Sequence, residues 1–273
     1  MITLLDGPLG TQLAARSVPT DTPAWSAEAI RSAPDVILQI HRDYANAGAT
    51  VHCANTFRTK RRTLGGQWES MARMAVNIAR QAVPVGHRVA GSIAPLADCY
   101  RPDLSPDDPR DEHRELAQVL ADADCDLLLC ETFPNVDEAL IAVAEAVETE
   151  IETWIAFTAG PNADLLTPAQ MADGARRAAD AGAAAVLVNC TPATDTLRFV
   201  QAIADENLTI PIGAYANAGD PADKVGWDAM QGASGKYLQF AKQWMDAGAT
   251  LIGGCCGTTP QHIQTLHHWI NQT

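Results

Sequence analysis

The chain alternates between two patterns of hydrophobic and polar residues. Short apolar runs of strand-forming residues recur, and the segments between them carry apolar residues at helical spacing. In the segment 34–47, Pro34 stands at a first-turn position and Ile37, Ile40 and Tyr44 fall on one face, which is expected to pack on a sheet. Eight runs alternating with helices predict an α/β fold, a single (β/α)8 TIM barrel. The predicted strands are 2–5, 49–54, 88–93, 125–130, 153–158, 183–189, 210–215 and 249–253.

A repeated phrase at the ends of predicted helices supports this organisation. The sequence Asn-Ala-Gly-Ala-Thr at 46–50 returns as Asp-Ala-Gly-Ala-Ala at 180–184 and Asp-Ala-Gly-Ala-Thr at 246–250. Glycine is a preferred residue at the end of a helix, because it adopts the left-handed conformation without steric cost. The recurrence therefore predicts helices that end alike before a strand, as repeated units require.

Composition fits one barrel domain spanning residues 1–273. Of the 273 residues 47% are hydrophobic, and α/β barrels commonly reach this length as one domain. The first residues carry no basic leader, and no apolar run approaches the roughly 20 residues of a membrane helix. We therefore expect a cytoplasmic protein without a membrane partner.

Charge and cysteine content narrow the choice of partners. The formal net charge of −14 argues against nucleic acid, because binding phosphates requires a basic face. Seven cysteines is an odd number in a chain too large to need disulfide staples, so reduced thiols or metal ligands are favoured over a disulfide framework. Small molecules are the expected partners, and the oligomeric state is open.

Polar residues whose side chains could bind a ligand or take part in catalysis fall at one end of the predicted strands. In a (β/α)8 barrel the carboxyl ends of the strands form the rim that carries the active site. Placement therefore predicts a site on this rim. The residues at or just beyond these strand ends are Asp6, Asn55, Glu131, Cys190, Asn217, Cys255 and Cys256.

The adjacent residues Cys255 and Cys256 predict a metal site. Neighbouring strand residues point to opposite faces, so adjacent thiolates reach one ion only where the strand has ended and the backbone bends. Glycines on both sides of the pair permit that bend. Cys190 ends a similar apolar run and is the third candidate ligand. Three cysteines without a fourth protein ligand leave one tetrahedral position open, which is typical of catalytic zinc.

Six short segments of the chain together resemble a known family. Each is weak evidence by itself, but all six occur in the order of the family and end with the double cysteine. They resemble the zinc-dependent homocysteine S-methyltransferases, which include the S-methylmethionine and betaine enzymes and the homocysteine module of cobalamin-dependent methionine synthase. The segments are Leu-Asp-Gly-Pro-Leu-Gly-Thr (5–11), Asn-Thr-Phe (55–57), Glu-Thr-Phe-Pro-Asn (131–135), Val-Asn-Cys (188–190), Tyr-Ala-Asn-Ala-Gly (215–219) and Gly-Gly-Cys-Cys-Gly (253–257).

The resemblance implies methyl transfer to the thiol of L-homocysteine, giving methionine. Cys190, Cys255 and Cys256 then hold Zn2+, and the substrate sulfur takes the open position as a thiolate, since a coordinated thiol is deprotonated. In the resembling family, the residues matching Asp6 and Glu131 contact the amino-acid part of homocysteine.

Three further residues are predicted to bind substrate. Backbone amides from Gly7 onwards offer a helix start for the substrate carboxylate. Asn55 and Asn217 stand at strand ends on the same rim. These residues also have structural interpretations: Asp6 and Gly7 suit a turn, and both asparagines suit loop starts.

Other structural alternatives concern Glu131 and the cysteines. Glu131 is suited to capping a helix, and Cys255 and Cys256 to a vicinal disulfide, which a reducing compartment disfavours. The remaining four cysteines are interpreted as buried small hydrophobes: Cys53, Cys99, Cys125 and Cys130.

Several loop residues on the predicted catalytic face have possible roles in donor binding. The dense basic cluster 58–62 is able to steer a carboxylate, although a solvated loop is the favoured interpretation. The loops 98–114 and 216–236 are long enough to close over a donor. Tyr215 and Trp227 are candidate cation–π partners for a sulfonium or ammonium group.

The methyl donor is open between two classes. The segments 25–30 and 34–48 look most like the S-methylmethionine group, so a sulfonium, S-methylmethionine or S-adenosylmethionine, is the first choice and betaine the alternative. The chain ends soon after the last predicted helix, so folate and cobalamin domains are not expected. Selenocysteine remains open as the acceptor.

Two rival classes also fit part of the pattern. A zinc hydrolase on the same barrel would need histidine and aspartate ligands at strand ends, and His52 is the only histidine in a predicted strand. A non-enzymatic zinc or thiol protein would explain the cysteines, but it would not explain Asp6 and Glu131 on the same rim.

Overall fold

A barrel of eight parallel strands forms the centre of the computed structural model, which describes residues 1–218 and 232–272. The strands are β1 (Thr3–Leu4), β2 (Val51–Cys53), β3 (Arg88–Ile93), β4 (Leu127–Phe133), β5 (Thr153–Phe157), β6 (Ala185–Pro192), β7 (Ile212–Asn217) and β8 (Leu251–Gly254). They pair in the order β1-β8-β7-β6-β5-β4-β3-β2, and a bridge between Leu5 and Val51 joins the two ends. The predicted (β/α)8 barrel is confirmed.

Helices surround the barrel. In the described residues these are α1 (Leu9–Ala15), α2 (Ala29–Ser32), α3 (Pro34–Asn46), α4 (Arg61–Leu64), α5 (Trp68–Ala82), α6 (Arg110–Asp122), α7 (Val136–Val147), α8 (Pro168–Asp180), α9 (Ala193–Asp205), α10 (Ala233–Asp246) and α11 (Pro260–Ile270). Short 3-10 turns lie at Trp25–Glu28, Gly65–Gln67 and Pro102–Leu104. No helix in the described ranges has the length and apolar character needed to cross a membrane.

Strand alternation divides the apolar residues into two cores. In β4, Leu127 and Leu129 belong to the cluster inside the barrel, whereas Leu128 and Cys130 belong to the larger cluster between barrel and helices. Successive strand residues point to opposite faces, and both faces are covered, so the strands are apolar throughout. The inner cluster ends at Cys190, Tyr215, Cys255 and Cys256, at the carboxyl end of the barrel.

Most predicted boundaries lie within a few residues of those observed. The glycines of the repeated phrase, Gly48, Gly182 and Gly248, have φ values of +106°, +100° and +103°, so their predicted place at helix ends is confirmed. β4, β6 and β7 continue two or three residues beyond the predicted ends, because their ladders run on through polar residues at the rim.

Candidate active site

A cavity of about 470 Å³, a volume within the range of small-molecule sites, opens at the carboxyl end of the barrel. Seven of the eight site residues predicted from the sequence line it. They are Asp6, Gly7, Asn55, Glu131, Cys190, Cys255 and Cys256. The rim predicted from strand ends is thus where these side chains meet.

Three thiols form a compact group on the cavity wall. The sulfur atoms of Cys190, Cys255 and Cys256 lie within 4.8 Å of one another, and all three residues are buried. Cys190 Sγ and Cys255 Sγ are 2.6 Å apart. All three are free thiols, so the vicinal disulfide is not formed here. No fourth histidine, cysteine or acidic residue of the described chain joins the group.

A tight turn presents the adjacent cysteines to the cavity. β8 ends at Gly254, and both the N–H and the hydroxyl of Thr258 donate to the carbonyl of Cys255, at 3.0 and 2.8 Å. Gly257 has a φ of +80°, which a residue with a Cβ rarely adopts. Gly254 serves packing, since a Cβ there would lie 2.2 Å from the Thr258 hydroxyl. The predicted bend after the strand is confirmed.

A β-bulge turns Cys190 towards the same point. Leu187 lies inside the barrel, so regular alternation would direct Asn189 inward and Cys190 outward. The register of β6 with β7 shifts between Asn189 and Pro192, and Cys190 has a φ of +47°. Bulges of this kind redirect side chains near active sites, and here the thiol joins the inner cluster.

A matching irregularity follows Glu131 in β4. Thr132 has a φ of +65°, and the register of β4 with β5 shifts beside it. Asn189 Oδ1 accepts the Thr132 N–H at 3.1 Å, while Asn189 Nδ2 donates to Thr132 Oγ1 at 2.8 Å. This buried pair links the bulge carrying Cys190 to the segment carrying Glu131.

The carboxyl group of Glu131 has no positively charged partner among the described residues. Ser92 Oγ donates to one oxygen, and the Tyr215 hydroxyl donates to the other at 3.0 Å. Burial raises the pKa of Glu131, although these two hydrogen bonds act against the rise. Since no cationic side chain of the described residues pairs with it, ionised Glu131 would be stabilised by a ligand cation.

Asp6, when ionised, would also be stabilised by a ligand cation. The Cys53 N–H donates to Asp6 Oδ2 at 3.1 Å, and the Nδ1 atoms of His41 and His52 lie 4.0 and 3.9 Å from that oxygen. Burial raises the pKa of Asp6 well above its usual value, and the charge of Glu131 adds to the rise. Burial lowers the pKa of His41 to about 4 and that of His52 to about 3. Both imidazoles are therefore neutral near pH 7.

The three further residues predicted to bind substrate, Gly7, Asn55 and Asn217, have different surroundings. Gly7 is needed for packing, because a Cβ would lie 2.6 Å from the Tyr44 hydroxyl. Asn55 lines the cavity and donates to the Ser26 carbonyl at 2.8 Å. Asn217 is buried off the cavity wall, and its side-chain oxygen has no hydrogen-bond partner in the described part of the chain. Substrate binding by these residues stays a prediction.

Comparison with known proteins identifies the family. A family model described as homocysteine S-methyltransferase matches residues 3–270. The homocysteine S-methyltransferase of Escherichia coli strain K12 is 32% identical, over 97% of this chain and 94% of its own length. The chain belongs to the homocysteine S-methyltransferase family. The resemblance seen in the six segments is confirmed, and the protein is a methyltransferase.

Two further relatives place this homocysteine S-methyltransferase family member among its neighbours. The selenocysteine Se-methyltransferase of Brassica oleracea var. italica is 28% identical, over 97% of this chain and 87% of its own length. The crystal structure of the E. coli homocysteine methyltransferase MmuM in its metallated form aligns with a TM-score of 0.81 at 28% identity. That alignment covers 98% of this chain and 96% of the other.

Several residues of the cavity wall of the methyltransferase were not predicted from the sequence as site residues. Cys53, interpreted as a buried hydrophobe, is half-buried on the cavity wall, and its amide holds Asp6. Ser92 was detectable as a polar residue near the end of an apolar strand. Trp227 and most of the loop 216–236 lie outside the described residues. The remaining wall residues not singled out as site residues include Trp25, Phe57, Asp98, Cys99 and Tyr100.

The thiol group of the methyltransferase fits a zinc ion. Zn–S bonds of about 2.3 Å in a tetrahedron place sulfurs about 3.8 Å apart, so the Cys190–Cys255 contact would open by roughly 1 Å. Sulfur–sulfur hydrogen bonds and burial raise the pKa of Cys190 and of Cys256 well above the usual thiol value. The pKa of Cys255 is also raised, although its bond with Cys190 acts against the rise. If all three thiols were ionised, they would require a cation, which a zinc ion would supply.

Proposed function

We propose that this enzyme transfers a methyl group from a sulfonium donor to the thiol of homocysteine, with zinc held by Cys190, Cys255 and Cys256. One observation carries the proposal: a three-thiol group shares one cavity with two carboxyl groups that have no cationic partner among the described residues. Homocysteine offers a sulfur for the first and an ammonium for the second.

The acceptor is oriented by groups at opposite ends of the amino acid. Asp6 and Glu131 receive the ammonium. Burial raises the pKa of both carboxyl groups, and the positive charge of the ammonium stabilises their ionised forms. The turn from Gly7 to the start of α1 lines the cavity without a side-chain cap on that helix, so its amides are available to the substrate carboxylate. The thiol then points to the cysteine group.

The residues of the cavity position the reactants for in-line displacement. Zinc, when bound, keeps the acceptor sulfur as a thiolate at neutral pH. The thiolate forms a new S–CH3 bond while the donor S–CH3 bond breaks, and that electron pair stays on the donor sulfur as a neutral thioether. No proton leaves the methyl group, so no general base is required. The main contribution of the protein is alignment and exclusion of water.

The alternative functions receive less support. A zinc hydrolase would require ligands that activate water, but no histidine lies on the described cavity wall, and His52 faces away from the barrel interior towards His41 and Asp6. A zinc or thiol protein without catalysis would not explain why two carboxyl groups on the cavity wall have no cationic partner among the described residues. Selenocysteine is an alternative acceptor, because one relative is named for it.

A methyl-transfer assay beside a zinc measurement tests the proposal. Homocysteine and selenocysteine are each combined with S-methylmethionine, S-adenosylmethionine or betaine, and products are identified by mass spectrometry. We expect methionine from homocysteine with a sulfonium donor and about one zinc per chain. Homocysteine should add sulfur coordination in the zinc X-ray absorption spectrum. Transfer by zinc-free protein at the full rate would contradict the proposal.

A further inference from the structure

The structure divides the basic cluster 58–62 into residues with different roles. Arg61 and Arg62 each hold a glutamate of α6, with N–O distances of 3.0 and 2.8 Å. Lys60 is buried and donates to a backbone carbonyl, and burial lowers its pKa to about 7. Arg58 alone of these four lines the cavity. Arg61 and Arg62 are solvent-exposed, as the solvated-loop interpretation expects, but they lie in α4 and not in a loop.

Arg58 is incompletely satisfied in this position. Its Nη1 donates to the Ala97 carbonyl at 3.4 Å, and its guanidinium carbon lies 5.4 Å from the centre of the Phe57 ring. Its Nε is buried and has no hydrogen-bond partner among the residues that the structure describes. No carboxylate of the described residues lies within ion-pair distance of it. A buried N–H of a charged group is costly when left unpaired, so a ligand in the cavity is expected to provide the acceptor.

We propose that Arg58 binds the carboxylate of the methyl donor, so that the donor is recognised through its amino-acid end as well as through its sulfonium. The planar guanidinium offers paired N–H donors that match a carboxylate in two-point geometry. The inference rests on the proposed function, since it concerns the second substrate of the same cavity.

The surroundings of Arg58 suit the donor better than the acceptor. Homocysteine is already held at three points by the cysteine group, by Asp6 with Glu131, and by the turn after β1. Arg58 lies after β2 beside Phe57, whose ring packs edge-on against Trp25 with centroids 5.9 Å apart. Aromatic surfaces attract sulfonium cations. A cation-binding wall and an anion-binding side chain therefore lie together.

Asp98 adds a negative group to the same wall. Asp98 is exposed beside the cavity, and one of its oxygens accepts the Tyr100 N–H at 2.9 Å. Asp98 follows Ala97, which contacts Arg58, yet Asp98 and Arg58 do not form an ion pair. Two opposite charges on the cavity wall that do not pair with each other match the ammonium and carboxylate of an α-amino acid. The donor class is thus an amino-acid sulfonium, and betaine, which has no ammonium N–H, would engage Arg58 alone.

Donor binding to the zinc-loaded protein without homocysteine tests the role of Arg58. Calorimetric titration with S-methylmethionine, and in parallel with S-adenosylmethionine, should show an affinity loss of about 10- to 100-fold in Arg58→Gln. Arg58→Lys should fall between the two, because lysine keeps the charge but not the paired geometry. Arg62→Gln is the matched control, since it removes the same charge from the same segment outside the cavity.

Chemically altered donors locate the contacts. The methyl ester of S-methylmethionine lacks the carboxylate, so wild type and Arg58→Gln should bind it equally. Dimethylsulfoniopropionate keeps the carboxylate but lacks the amine, so Asp98→Asn should weaken S-methylmethionine and leave this compound unchanged. The KM of homocysteine should stay within about twofold in both variants.

Clear results would overturn the inference. If Arg58→Gln is folded by circular dichroism and binds both sulfonium donors as wild type does, Arg58 does not bind the donor. A change confined to the KM of homocysteine would assign Arg58 to the acceptor instead. The proposed function fails separately, if wild-type protein transfers no methyl group from any donor to homocysteine.

Discussion

Two buried triads with metal-ligating side chains occur in the described part of the protein, and only one has the surroundings of a catalytic metal site. The ligand atoms of Cys190, Cys255 and Cys256 lie within 4.8 Å of one another, as do those of Asp6, His41 and His52. All three cysteines line the cavity, whereas Asp6 is the only cavity residue of the second triad. Proximity of ligands is therefore insufficient, because a catalytic metal must also face the substrate.

The two triads also differ in the charge of their ligand side chains. Cysteine binds zinc as a thiolate, and three buried thiolates at one point would need the charge of a cation. The two histidines are neutral at pH 7, because burial lowers their pKa values to about 4 and 3. Neutral imidazoles can bind a metal but do not require one for charge balance, and the charge of Asp6 can be met by a substrate ammonium. We therefore expect zinc at the cysteine triad only.

Replacing a cysteine ligand should have the largest effect. Cys190→Ser, Cys255→Ser and Cys256→Ser are each expected to lose most of the zinc and to reduce methyl transfer by about 1,000-fold or more, since the ion supplies several kcal/mol to the reaction. Cys125→Ala is the control, because Cys125 is buried away from the cavity. Zinc content and activity are measured on folded protein. Full zinc occupancy in Cys255→Ser would remove that residue from the site.

Loss of the negative charge at Glu131 should come next. Glu131→Gln is expected to keep zinc but weaken homocysteine binding by about 1.5–3 kcal/mol, the value of one charge-assisted hydrogen bond. A thiol without the amino group should bind wild type and variant alike. The two proteins and two thiols form a double-mutant cycle. A coupling energy near zero would leave Glu131 with a structural role through Ser92 and Tyr215.

Removing the hydrogen bonds that hold the backbone beside Cys190 should have a smaller effect. Cys190 is held with a φ of +47°, whereas none of the residues in the second triad has a positive φ. Asn189→Ala removes both bonds to Thr132, so we expect about tenfold weaker zinc binding and a higher KM for homocysteine. Thr132→Val removes only the hydroxyl contact and should have a smaller effect. If Asn189→Ala lowers stability alone, the pair does not position the site.

Sequence patterns anticipated the parts of this molecule that follow from local rules. The eight strands, the helix-ending glycines and the turn at Cys255-Cys256 depend on periodicity and glycine chemistry within a few residues. The bulge at Cys190 was not predictable, because regular alternation directs that thiol outward and only the ladder with β7 shows the shift. The hydrogen bonds of Glu131 to Ser92 and Tyr215 join residues 39 and 84 positions apart, beyond the reach of local patterns.

Removing the His41 imidazole from the second triad should have the smallest effect. We expect it to change the free energy of unfolding but not the zinc content. Both ring nitrogens of His41 are buried without a hydrogen-bond partner in the described residues, so His41→Leu should match wild type at pH 7 or exceed it by about 1–2 kcal/mol. The unfolded chain protonates His41 below about pH 6.5, but the folded protein does so only near pH 4. Wild type therefore loses stability as pH falls through this window, by up to about 1.4 kcal/mol per pH unit from this residue. Urea unfolding at pH 7 and pH 5 should show a shallower loss in His41→Leu than in wild type or in the surface control His268→Leu. A drop in zinc content in His41→Leu would show instead that the second triad binds metal.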